Sequence, residues 1–591
     1  MHTPRTLLAA AAAALFSTAG AAPAPTAPSA LTTHPALSAE TLRQALPSPL
    51  KARAPGLLRT YLQLRGQTPA PESDSEPDAE RADPALAPVA LPQVLATIDQ
   101  VLATAPTAMI GALQAARSGH SQALALMQQG GTDASPLFLV GALQAMGAGQ
   151  TGLDQALDIA AAVDPVAIGL LLPAVQKVRE AAARMSTGML DIAAAAGVSP
   201  GRLAPAQEAL RLADALHASG DYGGAGAQYA NGFGLAANTV VFNMDRFEQN
   251  LRDSFTNQSV GYAYALSQAG QLVRQNGVGL ARTGADLPQT AQAATKKMHV
   301  ASVSKTMTAI VLMRLLAERG LSVDTAIGAY LPADWARGDG VNSMSFRQLL
   351  THRSGFGQNA PGGSDYNNLR AMVGQAVPSK GSFDYENANF GLMRVLVAVM
   401  LGADLPLPGL DKAAFTTAVF LNYATAAYNG VGVPFSCEPA ASAPTLQYDF
   451  PDTGNPGYVE PSRSLSCGGF GVMVSAQNLA RTLAFLRYTT DLVPAASYQQ
   501  MKSGYLGFMD PARYGFAQGQ FGVYHTHGGD WDHSGGSGNG GLDACVMVFP
   551  INVEASVLVN SSRKNLGVGY PNGGYQCSVI KTAFENAWVA N

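Results

Sequence analysis

The sequence predicts an α+β fold preceded by an α-helical region, and three observations carry that prediction. From about Leu91 to Ala237 the chain is rich in Ala and Leu at helical spacing. Short strand patterns then flank a helix-rich stretch, near residues 261–273 and again near 546–559. Between them a small, polar run, Ala301-Ser302-Val303-Ser304-Lys305-Thr306, passes at once into the apolar helical pattern Met307, Ile310, Val311, Met313, Leu315, Leu316. Strands at both ends with helices in the middle describe one sheet assembled from both ends of the segment. The 591 residues leave room for that domain and a helical one besides. Charged residues are only 13% and the net charge is -4, so no phosphate-binding surface is indicated and nucleic acid is not an expected partner.

Taken in order, the chain opens with a basic start at Met1–Arg5, an apolar run from Leu7 to Phe16 and the small residues Ala19-Gly20-Ala21-Ala22. This is a secretory signal, residues 1–22, cleaved near Ala21 or Ala22. Its apolar run is too short to cross a bilayer, so no integral membrane segment is expected after cleavage, and the protein is expected to be periplasmic or secreted. No cysteine near the cleavage site points to a lipid anchor. Residues 23–88 read as a Pro/Ala-rich and acidic linker, with Leu57–Leu64 as a short helix within it. Residues 89–240 read as an α-helical domain of five to seven helices, punctuated at Gly130-Gly131, Gly147-Ala148-Gly149 and Pro200-Gly201. Ala209–Ala230 resembles a single tetratricopeptide-type helix pair turning at Gly220-Asp221-Tyr222, and one repeat cannot make a solenoid. No titratable cluster marks this region, which leaves a scaffold role or a protein partner.

Residues 245–591 form the second domain. A helix is expected over Arg246–Ser254, then a hairpin from Gly261–Leu266 and Gly270–Val273, the helix that begins at Ser302, a strand pair from Val546–Phe549 and Val553–Val559, and a terminal helix over Val579–Val589. All four cysteines, Cys437, Cys467, Cys545 and Cys577, lie here. An even number in an exported chain points to two disulfides. Three pairings are open, and proximity in sequence favours Cys437–Cys467 with Cys545–Cys577. No CxxC spacing indicates a zinc knuckle or a thioredoxin-like site.

The chemistry centres on Ser302 and Lys305. Three residues apart at the start of a helix, they share a face, so the amine can reach the hydroxyl. The helix N-terminus adds unpaired N–H groups where negative charge develops. A serine nucleophile needs both. The bland reading is an N-capping serine followed by a solvated lysine, and Ser48/Lys51, Ser561/Lys564 and Ser578/Lys581 repeat the spacing. The landmarks that follow decide between the two. They are Leu349-Leu350-Thr351-His352-Arg353-Ser354-Gly355, Phe383-Asp384-Tyr385-Glu386-Asn387-Ala388-Asn389-Phe390, Gly468-Gly469-Phe470-Gly471 and His533-Ser534-Gly535-Gly536. In this order, over about residues 245–590, they resemble the serine β-lactamase and penicillin-binding family, in its class C β-lactamase, D-alanyl-D-alanine carboxypeptidase and esterase branch.

That resemblance implies a β-lactamase/transpeptidase-like domain, an antiparallel sheet flanked by an all-helical subdomain. It implies Ser302 as nucleophile, Lys305 and Tyr385 sharing the base role, and Asn387 binding the substrate carbonyl. His533-Ser534-Gly535 would be the cleft edge, and the N–H groups of Ser302 and Gly536 the oxyanion hole. Where relatives carry Lys-Thr-Gly, His533 replaces a fixed cation with a group that titrates near neutral pH, a change that goes with peptidases and esterases more than with penicillinases. His527-Gly528-Gly529 is a rival for the edge, and Tyr366-x-Asn368 a weaker rival for Tyr385-x-Asn387. His352 reads as structural.

His525 to His533 holds three His and two Asp in nine residues. It resembles the ligand run of metallo-β-lactamases, but with extra spacing and at the wrong end of the chain. A polar, Gly-rich strand edge is the expected reading, with no metal or cofactor. No Gly-x-Ser-x-Gly elbow supports an α/β-hydrolase. The expected function is an exported serine hydrolase forming an acyl-enzyme on Ser302. Its small-molecule or peptide substrate is a D-amino-acid peptide, an ester or a β-lactam, selected by the loops Gly357–Ser364 and Pro439–Pro461. The alternative is a catalytically reduced relative that keeps the fold as a binding module and uses its helical domain for a partner.

Overall fold

The computed structural model describes residues 38–70, 87–131, 135–357, 363–534, 537–563, 569–571 and 574–591. The expected signal peptide and the acidic stretch 71–86 lie outside them.

Three short helices, Ala39–Ala45, Ser48–Lys51 and Ala54–Leu64, open the described chain. The expected linker, residues 23–88, thus holds two more helices than the one expected at Leu57–Leu64. Leu42, Leu46, Leu50, Leu57, Tyr61 and Leu64 are buried in one cluster with Phe415, Ala418 and Val419 of the Lys412–Asn429 helix. An apolar stripe at helical spacing outweighs the Pro-rich composition around it.

Six helices follow, from Ala87–Leu102 to Tyr222–Ala237. Small residues let them approach closely. A Cβ on Gly119 would lie 2.5 Å from the Gly149 nitrogen, and one on Gly152 the same distance from the Ala116 nitrogen. The pair Pro200–Ala218 and Tyr222–Ala237 turns at Gly220-Asp221, with Asp221 accepting from the Gly224 N–H.

The sheet has five main strands in the spatial order His525–Ser534, Ser537–Val548, Val553–Val559, Gly261–Gln268 and Gln271–Arg282, all antiparallel. It is assembled from both ends of the domain, and His525–Ser534 is an outer strand. Both faces are covered, so alternate residues serve two cores. Tyr262, Tyr264 and Leu266 join a core that continues into the helical region, whereas Ala263 and Ala265 belong to a second core that also holds the Ser304–Glu318 helix. Every residue of that helix from Ser304 to Met313 is buried, the polar ones included. The terminal helix runs over Gln576–Glu585 rather than to Val589. Trp588–Ala590 is instead a strand paired with Val240–Phe242. Cys437 lies beside Cys467 and Cys545 beside Cys577, with Cα atoms 6.3 and 5.6 Å apart, and both pairs form disulfides.

Candidate active site

Ser302 sits in a single 3-10 turn, Ala301–Val303, directly before the Ser304–Glu318 helix. Ala301 holds a left-handed φ of 42°, an uncommon conformation for a residue with a side chain, and it turns the chain sharply into the helix. The i,i+3 spacing does what it predicts: Lys305 Nζ donates to Ser302 Oγ at 2.9 Å. The same amine donates to Asn387 Oδ1 at 2.6 Å and to the Gly469 carbonyl at 2.7 Å. Three acceptors match the three donors of an ammonium group. The lysine is fully buried, and Ser302 and Asn387 nearly so.

Each partner arrives on its own element. Asn387 opens the Asn387–Met400 helix, capped by Glu386, which accepts from the Ala388 N–H at 3.2 Å. Tyr385 directly precedes that cap, and its ring centre lies 4.7 Å from Lys305 Nζ. Gly469 comes from the turn Gly468–Gly471, which is sewn to the nucleophile helix. Thr308 Oγ1 donates to the Gly468 carbonyl, and the Val472 N–H donates to Ser304 Oγ. A side chain on Gly469 would lie 2.5 Å from the Asn387 carbonyl. The sequence marked this turn as a landmark, but nothing in the pattern identified its carbonyl as a partner of Lys305.

His352 supports the tyrosine. Its ring stacks on Tyr385 with centres 4.3 Å apart, and its Nδ1 accepts from the Glu386 N–H at 3.1 Å. Its carbonyl accepts from the Asp384 N–H at 2.8 Å. Burial, with Lys305 and His527 adding to it, holds this imidazole well below its usual pKa and keeps it neutral.

The cleft edge requires a correction. The expectation placed His533-Ser534-Gly535 beside Ser302, but Gly529 stands there: a Cβ on it would lie 2.7 Å from the Ser302 nitrogen. On the opposite face, a Cβ on Gly528 would meet the Tyr575 hydroxyl at 2.0 Å. The closest Gly529 contacts are with backbone, so that position requires glycine. His533 instead stacks on Tyr458 and bonds Gln447 Oε1 at 3.1 Å. Gly535, Gly536 and the Ser534 side chain lie outside the described residues. His527 is buried, and Lys305 acts on its charge. Burial first, then Lys305, pushes its pKa down to about 3. Burial likewise takes His533 to about 4. Neither histidine titrates near neutral pH, contrary to the sequence expectation.

The backbone of the edge strand also matters. The Thr526 carbonyl turns away from the neighbouring strand and accepts the Met509 N–H at 2.8 Å. With a period of two, the backbone groups of Gly528 and Asp530 lie on the same outer edge. His525, His527 and His533 fall in a row along one strand face rather than around a point. Among the described residues no group of three or more His, Cys, Asp or Glu is placed to hold a metal ion.

The rival motif diverges from the cluster. Tyr366 begins the Tyr366–Val373 helix and bonds Trp335 Nε1 at 3.2 Å, and Asn368 pairs with Asp365.

A family model described as Beta-lactamase matches residues 244–570. Among solved structures the chain is similar to a class C beta lactamase from Rhodobacter sphaeroides, at 18% identity over 58% of this chain and 98% of that one, with a TM-score of 0.41. A beta-lactamase/D-alanine carboxypeptidase from Pseudomonas syringae matches at 17% identity over 58% and 97%, with a TM-score of 0.42. A D-stereospecific amidohydrolase from a Streptomyces species matches at 16% identity over 57% and 98%, with a TM-score of 0.39.

Proposed function

The chain belongs to the β-lactamase family, and on that premise we propose that it is an exported serine hydrolase that cleaves an ester or amide through an acyl-enzyme on Ser302. The observation that carries this reading is the seat of Lys305 Nζ between Ser302 Oγ, Asn387 Oδ1 and the Gly469 carbonyl, beside the Tyr385 ring. Lys305 Nζ donates to all three acceptors, and this reading gives the proton-accepting role to Tyr385. Ser302 Oγ bonds to the substrate carbonyl carbon as its proton passes to Tyr385, which acts in this reading as the phenolate. The N–H groups of Ser302 and Asp530 hold the oxyanion, in place of the Gly536 N–H expected from the sequence. Tyr385 then protonates the leaving atom as its bond to carbon breaks. Water, deprotonated by the same tyrosine, adds to the acyl carbon, the bond from that carbon to Ser302 Oγ breaks, and Tyr385 returns the proton to Oγ. Asn387 orients the substrate, and His527-Gly528-Gly529 is the edge along which it lies.

Two disulfides support an oxidising compartment. No helix among the described residues is long and apolar enough to cross a membrane. With a neutral histidine where relatives place a lysine, the edge offers no fixed cation to a substrate carboxylate. This favours uncharged esters and amides, including D-amino-acid peptides with a blocked C-terminus, over β-lactams. A panel of p-nitrophenyl acetate, D-alanyl amides and nitrocefin, assayed with wild type and Ser302→Ala, tests the proposal. Turnover of an ester or amide that Ser302→Ala loses at least 10³-fold supports it. Equal rates in the two proteins contradict it.

A further inference from the structure

Beside Tyr385, away from the Lys305 seat, the structure holds a cavity of about 150 Å³. Its walls are largely aromatic or aliphatic: Phe383, Phe390, Tyr505, Phe508, Met509 and Tyr514, and Tyr385 and His527, both beside the Lys305 site, also line it. Its inner polar groups carry no charge, because burial keeps both His352 and His527 neutral. Charge is confined to the mouth. Arg353 and Asp510 face each other at 3.9 Å, and the Arg513 guanidinium lies 3.8 Å from the centre of the Phe383 ring. An apolar cavity of this volume holds one benzene ring.

One wall is fixed by the N-terminal helical region. Burial raises the Tyr505 phenol to about 12, and the side chain of Gln128, near the end of the Thr107–Gln129 helix, pulls against that rise. Lys502 Nζ donates to the Gln129 carbonyl at 3.3 Å. The next turn is tied in as well, since the Gly131 N–H donates to the Pro550 carbonyl. The helix end therefore clamps the segment from Lys502 to Tyr505, which leads straight into the cavity lining. Tyr505 itself holds a left-handed φ of 53°, a conformation that its surroundings must impose.

We propose that this cavity selects the leaving side of the substrate, accepting an uncharged apolar group no larger than a benzene ring, and that the helical region holds its far wall in place. The inference rests on the hydrolase reading above, because Tyr385 both lines the cavity and hands its proton to the leaving atom in that reading. It gives the helical region a task that its sequence did not disclose.

Phenyl acetate and 2-naphthyl acetate test it, since their leaving groups are of similar acidity and differ in size. Wild type is expected to favour phenyl acetate at least tenfold in kcat/KM. Phe383→Ala, which widens the mouth, and Gln128→Ala, which frees the Tyr505 wall, are each expected to reduce that preference below threefold. Ser302-dependent hydrolysis with equal kcat/KM for the two esters in wild type would overturn the pocket and leave the hydrolase reading standing. A preference unchanged in Gln128→Ala would overturn the role of the helical region. A separate arm needs no turnover: Ser302→Ala protein is titrated with phenol and 2-naphthol by calorimetry. Saturable binding of phenol alone supports the pocket even if no ester is hydrolysed. Equal binding of both, or of neither, overturns it.

Discussion

Lys305 is the residue on which the site turns, because three elements distant in sequence meet at its amine. Removing one acceptor leaves a buried ammonium under-satisfied. Asn387→Ala is therefore expected to lower kcat about 10²-fold or more and to reduce stability by about 1–3 kcal/mol, measured by steady-state kinetics and denaturant unfolding. The two histidines beside the site give a pH prediction. Burial holds His527 at about 3 and His352 well below its ordinary value, so both are neutral throughout pH 5–8. The profile of kcat/KM should show no inflection from either in that range. An inflection near pH 6.5 that disappears in His527→Asn would contradict this account. The Ser302–Lys305 pair was legible because helix geometry converts a spacing of three into a shared face. The choice of His527 over His533 was not. Six residues apart on one strand, they lie on the same face, and only the placement of the Ala301–Val303 turn against Gly529 separates them.

At the scale of elements, a buried network lies just before the nucleophile turn. His299 Nε2 accepts the Gly471 N–H, its Nδ1 lies 3.4 Å from Glu460, and Arg463 Nε bonds Glu460 at 2.5 Å. Burial alone would raise the Glu460 carboxyl, but His299 and Arg463 pull it down to about 2. A carboxyl whose folded pKa is depressed contributes stability above its unfolded value near 4.5, and that contribution is lost as pH falls toward 2. Glu460→Gln should therefore lose stability at pH 7 while narrowing its deficit to wild type below pH 3, as read by thermal melts across that range. The docked N-terminal helices make a second prediction: Tyr61→Ala, which empties a site edge-on to Phe415, should cost about 3–5 kcal/mol. The sequence reading foresaw a helix only at Leu57–Leu64; Ala39–Ala45 and Ser48–Lys51 escaped it because Pro and Ala dominate their composition while the Leu stripe is sparse. The strand Trp588–Ala590 escaped it because a short apolar run has no period long enough to distinguish strand from helix.

For the whole molecule, one core runs from the helical region through the sheet face of Tyr262, Tyr264 and Leu266 to the terminal helix. A chain cut to residues 244–591 should expose that surface, bind a hydrophobic dye and melt well below the full-length protein. An unchanged melting temperature would show that the two regions are energetically separate. Periodicity disclosed both regions, and the family resemblance implied the antiparallel sheet. Neither disclosed that the two regions share a core, which depends on side chains brought together across more than a hundred residues. The central claim remains the acyl-enzyme on Ser302, and covalent labelling tests it most directly. A fluorophosphonate probe followed by intact-mass and peptide analysis should add one adduct per folded wild-type chain, at Ser302, and none to Ser302→Ala. Folded wild type that takes no adduct, or a Ser302→Ala protein that is labelled as fast, would contradict it.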